Sequence, residues 1–199
     1  MAAPAFAQKW EFGGGVGWGY YTAQTIKGAR GSADATFQPN IAWTGYLSNQ
    51  VNERWGGELR YTFQLGDARL ESGGQKATFG AQSHAVSYEF QWHAQPSEAK
   101  ARFFLAGGGG VKNYRGTGRE LPNQPLANIG LLTKTSDIRG LVTVAAGVKV
   151  RMSDHWNLRI EVRDNMTVFP KTVLAPAVGA TVSGWIHDIM PMVTIGYAW

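Results

Sequence analysis

From Trp10 onward the bulky residues fall on every second position: Trp10, Phe12, Val16, Trp18 and Tyr20, with Lys9, Glu11 and glycines between them. Alternate side chains of an extended chain point to opposite faces, so this period of two predicts a strand with unlike faces. The same pattern returns with Phe37, Ile41, Trp43 and Leu47, and again with Trp55, Leu59, Tyr61, Phe63 and Leu65. A fourth set is His84, Val86, Tyr88, Phe90 and Trp92, a fifth Ala101, Phe103, Leu105 and Val111, and a sixth Val142, Val144, Val148, Val150 and Met152. Trp156, Leu158, Ile160 and Val162, then Ile189, Val193, Ile195, Tyr197 and Trp199, complete the series. Each of these roughly eight segments is near the ~9 to 11 residues that cross a bilayer as a tilted strand, and none approaches the ~20 apolar residues of a membrane helix.

The links between segments alternate in length. "SNQVNER" (48–54), "AQPSEAK" (94–100) and "SDH" (153–155) are short, whereas the segments near 22–34, 67–77, 114–139 and 166–184 are long. Short turns at one end, long loops at the other and both termini at the short-turn end make the plan of an up-and-down outer-membrane barrel. The expected fold class is therefore all-β, an eight-stranded antiparallel up-and-down transmembrane β-barrel, as a single domain over residues 8–199. Residues 1–7 of "MAAPAFAQ" read as a signal-peptide remnant or an added terminus, because Ala5-Phe6-Ala7 fits the A-x-A cleavage pattern ahead of Gln8.

The residues between the bulky ones define the second face. Glu11, Glu58, Arg60, Glu89, Arg102, Lys149, Arg151, Arg159, Glu161 and Arg163 put both signs of charge at comparable depths, with Asp188 on the same face. In a soluble barrel these would be the solvated exterior and the aromatic face would be core, since period alone does not say which face points inward. Two features favour charges inside. Trp10, Trp55, Trp92, Trp156 and Trp199 cluster at one set of strand ends, and Trp18, Tyr20, Phe63, Phe79 and Trp185 toward the other, as membrane-interface girdles do. The apolar rows also hold too many large side chains for an eight-strand lumen, which side chains only just fill. The expectation is a charge network that plugs the lumen.

Composition fits such a wall: 26 glycines and 12% aromatics with only 17% charged residues. The run "AGGGG" (106–110) is not a phosphate cradle, because no helical pattern follows it and Val111 separates the last glycine from Lys112. With "GGGVGWG" (13–19) it reads as strand glycine that lets a small barrel curve tightly. No cysteine is present, so disulfides and thiolate sites are excluded.

The chain ends "VTIGYAW", with Val193, Ile195, Tyr197 and Trp199 alternating up to a terminal aromatic residue. On these residues and the strand plan the sequence resembles the small OmpA/OmpX-like outer-membrane barrels, with tryptophan in place of the commoner terminal phenylalanine. The resemblance implies a bacterial outer-membrane location, contact with outer-membrane lipids, and reading of this last strand by the barrel-assembly machinery.

Candidate chemistry is thin. Two lipid A-modifying enzymes are also eight-stranded barrels, and the deacylase uses H-x-S on one strand face. Here His84-Ala85-Val86, His93-Ala94-Gln95, His155-Trp156-Asn157 and His187-Asp188-Ile189 all lack that spacing. His187 and Asp188, being adjacent in a strand, would face opposite ways. No zinc motif is visible, so no metal, cofactor or catalytic residue is expected. The net charge of +5 comes without a basic run, which argues against a nucleic-acid partner. Lys112, Arg115, Arg119, Lys134, Arg139 and Lys171, on or near the long loops, are candidates to meet lipopolysaccharide phosphates. The expected role is structural or recognitional, through the long loops of a monomer. A narrow pore for ions or small solutes is the alternative, and a lipid A-modifying enzyme the third reading.

Overall fold

The computed structural model describes residues 10–199, so the signal-peptide reading of residues 1–7 lies outside the described residues. In chain order the strands are β1 (Trp10–Tyr21), β2 (Gln24–Gly28), β3 (Gly31–Phe37), β4 (Asn40–Gln50), β5 (Trp55–Leu65), β6 (Ala68–Ser72) and β7 (Gln75–Phe79). They continue with β8 (Ala81–His93), β9 (Ala101–Gly116), β10 (Gly130–Leu132), β11 (Ser136–Arg151), β12 (Trp156–Val168), β13 (Leu174–Pro176) and β14 (Trp185–Ala198). Eight of them close into one barrel in the order β1-β14-β12-β11-β9-β8-β5-β4. Every pairing is antiparallel between barrel neighbours in the chain, and β1 meets β14 in the register Phe12↔Tyr197 and Val16↔Val193. Closure leaves no open edge, which lipid would not tolerate.

The bulky rows face outward. Leu59, Ile160 and Val193 are 50%, 51% and 46% exposed, while Thr62 and Thr194 on the alternate positions are 4% and 1% exposed. Trp10, Trp55, Trp156 and Trp199 ring the short-turn end, all exposed. At that end Tyr197 packs edge-on to Trp156, with ring centroids 5.3 Å apart, and Phe12 lies 5.7 Å from Trp199.

The glycine run lies inside β9. Its inward members are the tight ones: a Cβ at Gly108 would sit 2.0 Å from the Tyr88 carbonyl oxygen, and one at Gly110 would sit 1.9 Å from that of Val86. Strand β9 therefore approaches β8 more closely than any side chain permits.

The long segments are only partly irregular, because each carries short strands of its own. β2, β3, β6 and β7 form a four-stranded sheet in that order, and β10 pairs with β13. A bridge between Lys27 and Thr181 ties the first long segment to the last. Beneath these sheets lies an apolar core of 17 buried residues, among them Ile26, Leu70, Leu132, Phe169, Leu174 and Ile186. Two sequence expectations are corrected here. Phe37 and Phe79 are not wall or girdle residues but belong to this core, 3% and 6% exposed. Gln38 and Pro39 separate β3 from β4, so Phe37 ends a cap strand and does not begin a wall strand.

Candidate functional site

The lumen is the part of the molecule where chemistry concentrates, and its side chains fall into three levels. The middle level is a cluster of three carboxylates and three guanidiniums, drawn from β5, β8 and β12. Arg60 holds Glu58 through Nε at 2.8 Å and through Nη2 at 2.6 Å, and reaches Glu161 at 2.9 Å. Arg159 reaches across to Glu58 at 2.6 Å and to Glu161 at 3.2 Å. Arg163 grips Glu89 with both terminal nitrogens, at 2.5 and 3.0 Å. The six are at most 2% exposed. Buried charge of this density is sustained by reciprocal pairing and by neutral partners that take up the remaining lone pairs and protons. Those partners are Gln91, which donates to Glu58 at 2.7 Å, Ser87, which donates to Glu89 at 2.8 Å, and Thr143, which accepts from Arg163 at 3.0 Å. Arg159 is further sandwiched between the Tyr46 and Phe104 rings, 4.6 and 4.9 Å from their centroids.

Toward the capped end, Lys112 meets Asp188 at 2.5 Å. Gln64 donates to the same carboxylate at 3.2 Å, and Tyr21 donates to Gln64 at 2.7 Å. The lysine lies 4.7 Å from the Tyr21 ring and 5.2 Å from that of Tyr114. Lys112 is therefore corrected from a loop cation to a buried lumen residue. The signal for it was present in the sequence, because counting by twos from Arg102 through Phe104, Ala106, Gly108 and Gly110 lands on Lys112. Ending the strand near Val111 hid it, whereas β9 continues to Gly116.

Toward the short-turn end, Lys149 pairs with Glu11 at 2.5 Å, and Tyr46 and Asn157 also donate to Glu11, at 2.9 and 2.8 Å. Two residues assigned to the charge network are not paired with acids here. Arg102 is buried but donates only to neutral oxygens, those of Gln50, Glu53 and Gln95. Arg151 is half-buried at the mouth and donates to the Ser97 carbonyl. The register puts both at the last turn-facing positions of their strands, beyond the reach of the middle carboxylates.

The histidines are scattered. His84 lies on the outer wall with Nδ1 2.8 Å from the Tyr61 hydroxyl. His187 is also on the outer wall and contacts Asp164 at 2.7 Å, not the adjacent Asp188, which points into the lumen. His155 stacks on Tyr197 at 5.4 Å, and His93 is buried in the lower lumen. Among the described residues no group of three or more His, Cys, Asp or Glu could hold a metal ion.

Val193, Ile195, Tyr197 and Trp199 lie on the outward row at the C-terminal end of the chain, which is sealed against β1. Trp199 donates its backbone N–H to the Trp10 carbonyl at 3.0 Å.

Among solved structures the chain is similar to the outer membrane protein OprG from Pseudomonas aeruginosa, with TM-score 0.64, 13% identity, and 97% of this chain and 96% of that chain covered. Neisserial surface protein A (NspA) matches with TM-score 0.60 and 8% identity over 95% and 96% of the two chains. The N-terminal β-barrel domain of Pseudomonas aeruginosa OprF matches with TM-score 0.52 and 9% identity over 96% and 97%. At these identities the likeness is one of fold. No curated protein matches the sequence significantly. The family model described as "Outer membrane protein beta-barrel domain" matches residues 1–173. With the closed eight-stranded wall and its outward apolar belt, this places the chain in the outer membrane protein beta-barrel family, as a protein of the bacterial outer membrane.

Proposed function

We propose that this protein is a monomeric outer-membrane barrel whose lumen is plugged and whose activity resides in its extracellular face, as a structural or recognition module. The observation that carries the reading is the middle cluster of Glu58, Glu89 and Glu161 against Arg60, Arg159 and Arg163, equal in number and sealed from water. An eight-strand lumen is about filled by its own side chains, and charges paired this densely resist being pulled apart to admit a hydrated ion. The extracellular end is suited to recognition because its four long segments are interlocked over an apolar core, which presents a shaped surface without an ordering cost on binding.

Arg115, Arg119, Lys134 and Lys171 are exposed on this end and are the residues assigned to lipopolysaccharide phosphates. Arg139 is half-buried and already committed to Asp137 at 2.7 Å, and is left out of that set. The barrel-assembly machinery is the proposed partner of the last strand during biogenesis. No cofactor or catalytic step is part of the proposal.

Single-channel recording in planar bilayers tests the plug. Little steady current is expected from the wild-type protein, and more frequent openings when Arg60 and Arg163 are both changed to serine. Large, stable wild-type currents would replace this reading with that of a narrow pore.

A further inference from the structure

Below the middle cluster the barrel opens at its periplasmic end into a cup of about 340 Å³, the size of a small-solute pocket. Its floor is unusual in charge. Glu11 is the carboxylate there, and it is already occupied by Lys149, Tyr46 and Asn157. Arg102 is 5% exposed and has no carboxylate within ion-pair distance among the described residues; three of its N–H groups go to neutral oxygens at 2.9, 2.9 and 3.3 Å. A guanidinium carries five such donors, so two remain. Lys149 has donors beyond the one given to Glu11. His93 also lines the cup, 3% exposed, and its Nδ1 has no partner. A buried cation without an acid partner carries a desolvation penalty that an incoming anion removes, and the unpartnered His93 Nδ1 can donate to that anion in the tautomer that carries its proton there.

We infer that the floor of this cup is a binding site for a small free oxyanion, a carboxylate or phosphate, held by Arg102 with Lys149 and His93. The planar fork of Arg102 suits two-point contact with such a group. The mouth restricts the charge of the ligand: Glu53, Glu98 and Asp154 are exposed there with the half-buried Arg151, so a polyanion meets more repulsion than a small anion of low charge before it reaches the floor. The barrel wall separates the cup from the bilayer, which makes the ligand a periplasmic solute.

The test uses the refolded barrel in a maltoside detergent that contains no phosphate, with histidine and arginine side chains labelled for NMR. Inorganic phosphate and acetate are titrated separately at constant ionic strength, with chloride as the control. Saturable shifts of the His93 and Arg102 side chains with phosphate or acetate, absent with chloride, are expected. In Arg102→Gln, with native gel migration, the affinity should fall about tenfold, the weight of one charge-assisted contact. Equal saturation by chloride, no saturation by either oxyanion, or unchanged affinity in R102Q would overturn the site. Should R102Q fail to fold, the wild-type titration decides alone, and a His93 resonance that does not respond rejects the proposal.

Discussion

Substituting Glu89 by glutamine tests whether the lumen charges act as one coupled unit. Glu89 accepts two hydrogen bonds from Arg163, at 2.5 and 3.0 Å, and one from Ser87 at 2.8 Å, and neither ion-pair side chain is exposed. Glutamine keeps the shape but turns one oxygen into a donor facing a guanidinium, and it leaves two carboxylates against three guanidiniums in a sealed space. Breaking a buried pair from one side costs about 3 to 5 kcal/mol, because the surviving charge is left uncompensated. Arg163→Met should cost a similar amount from the other side, raised somewhat by the loss of the Thr143 contact at 3.0 Å. The double variant E89Q/R163M restores balance, with Glu58 and Glu161 against Arg60 and Arg159, so it should be less destabilised than the sum of the singles by about 2 to 3 kcal/mol. Urea unfolding in lipid vesicles, followed by tryptophan fluorescence and by heat-dependent gel migration, measures all three. Additivity within about 0.5 kcal/mol, or an E89Q cost below about 1 kcal/mol, would mean that the lumen charges are hydrated individually, and the plug argument would fail.

Three further outcomes follow from the wall. Val193→Arg, on the lipid face, should cost about 2 to 4 kcal/mol of folding stability in vesicles, whereas arginine at the fully exposed Val178 of the capped end should be near neutral; equal costs would contradict the face assignment. Gly110→Ala should destabilise the barrel far more than Gly107→Ala, because the first Cβ would lie 1.9 Å from the Val86 carbonyl oxygen and the second 4.0 Å from its nearest neighbour; comparable unfolding midpoints would remove the close approach of β8 and β9 from the account. Deleting Tyr197 through Trp199 should reduce insertion in cells more than refolding in detergent, as measured by protease protection and gel migration, and equal insertion would reject a signal role for this end.

What the sequence determined by itself is the sidedness of the wall. Period two is a local property of extended backbone, so Leu59 and Arg60 had to face opposite ways, as did Ile160 and Glu161, whatever the rest of the chain did. The number of wall strands and the alternation of short and long connections are likewise readable along the chain. The tertiary structure decided which charges meet. Glu58 and Arg159 are 101 residues apart and touch only because closure brings β5 and β12 to opposite sides of one narrow lumen. Arg102 has the same alternating signature as Arg60, yet its depth leaves it facing the cup without a carboxylate. The fold of the capped end was also hidden. β2, β6, β10 and β13 are three to five residues long and find their partners in other segments or across tight turns, too short for any periodic signal. Ile26 and Leu70 look like isolated apolar residues in polar stretches, and they join Leu132 and Leu174 in a core only when the long segments are stacked over the same barrel mouth. Alternation is fixed between neighbours in the chain, whereas pairing and burial depend on the register and closure of strands far apart in it.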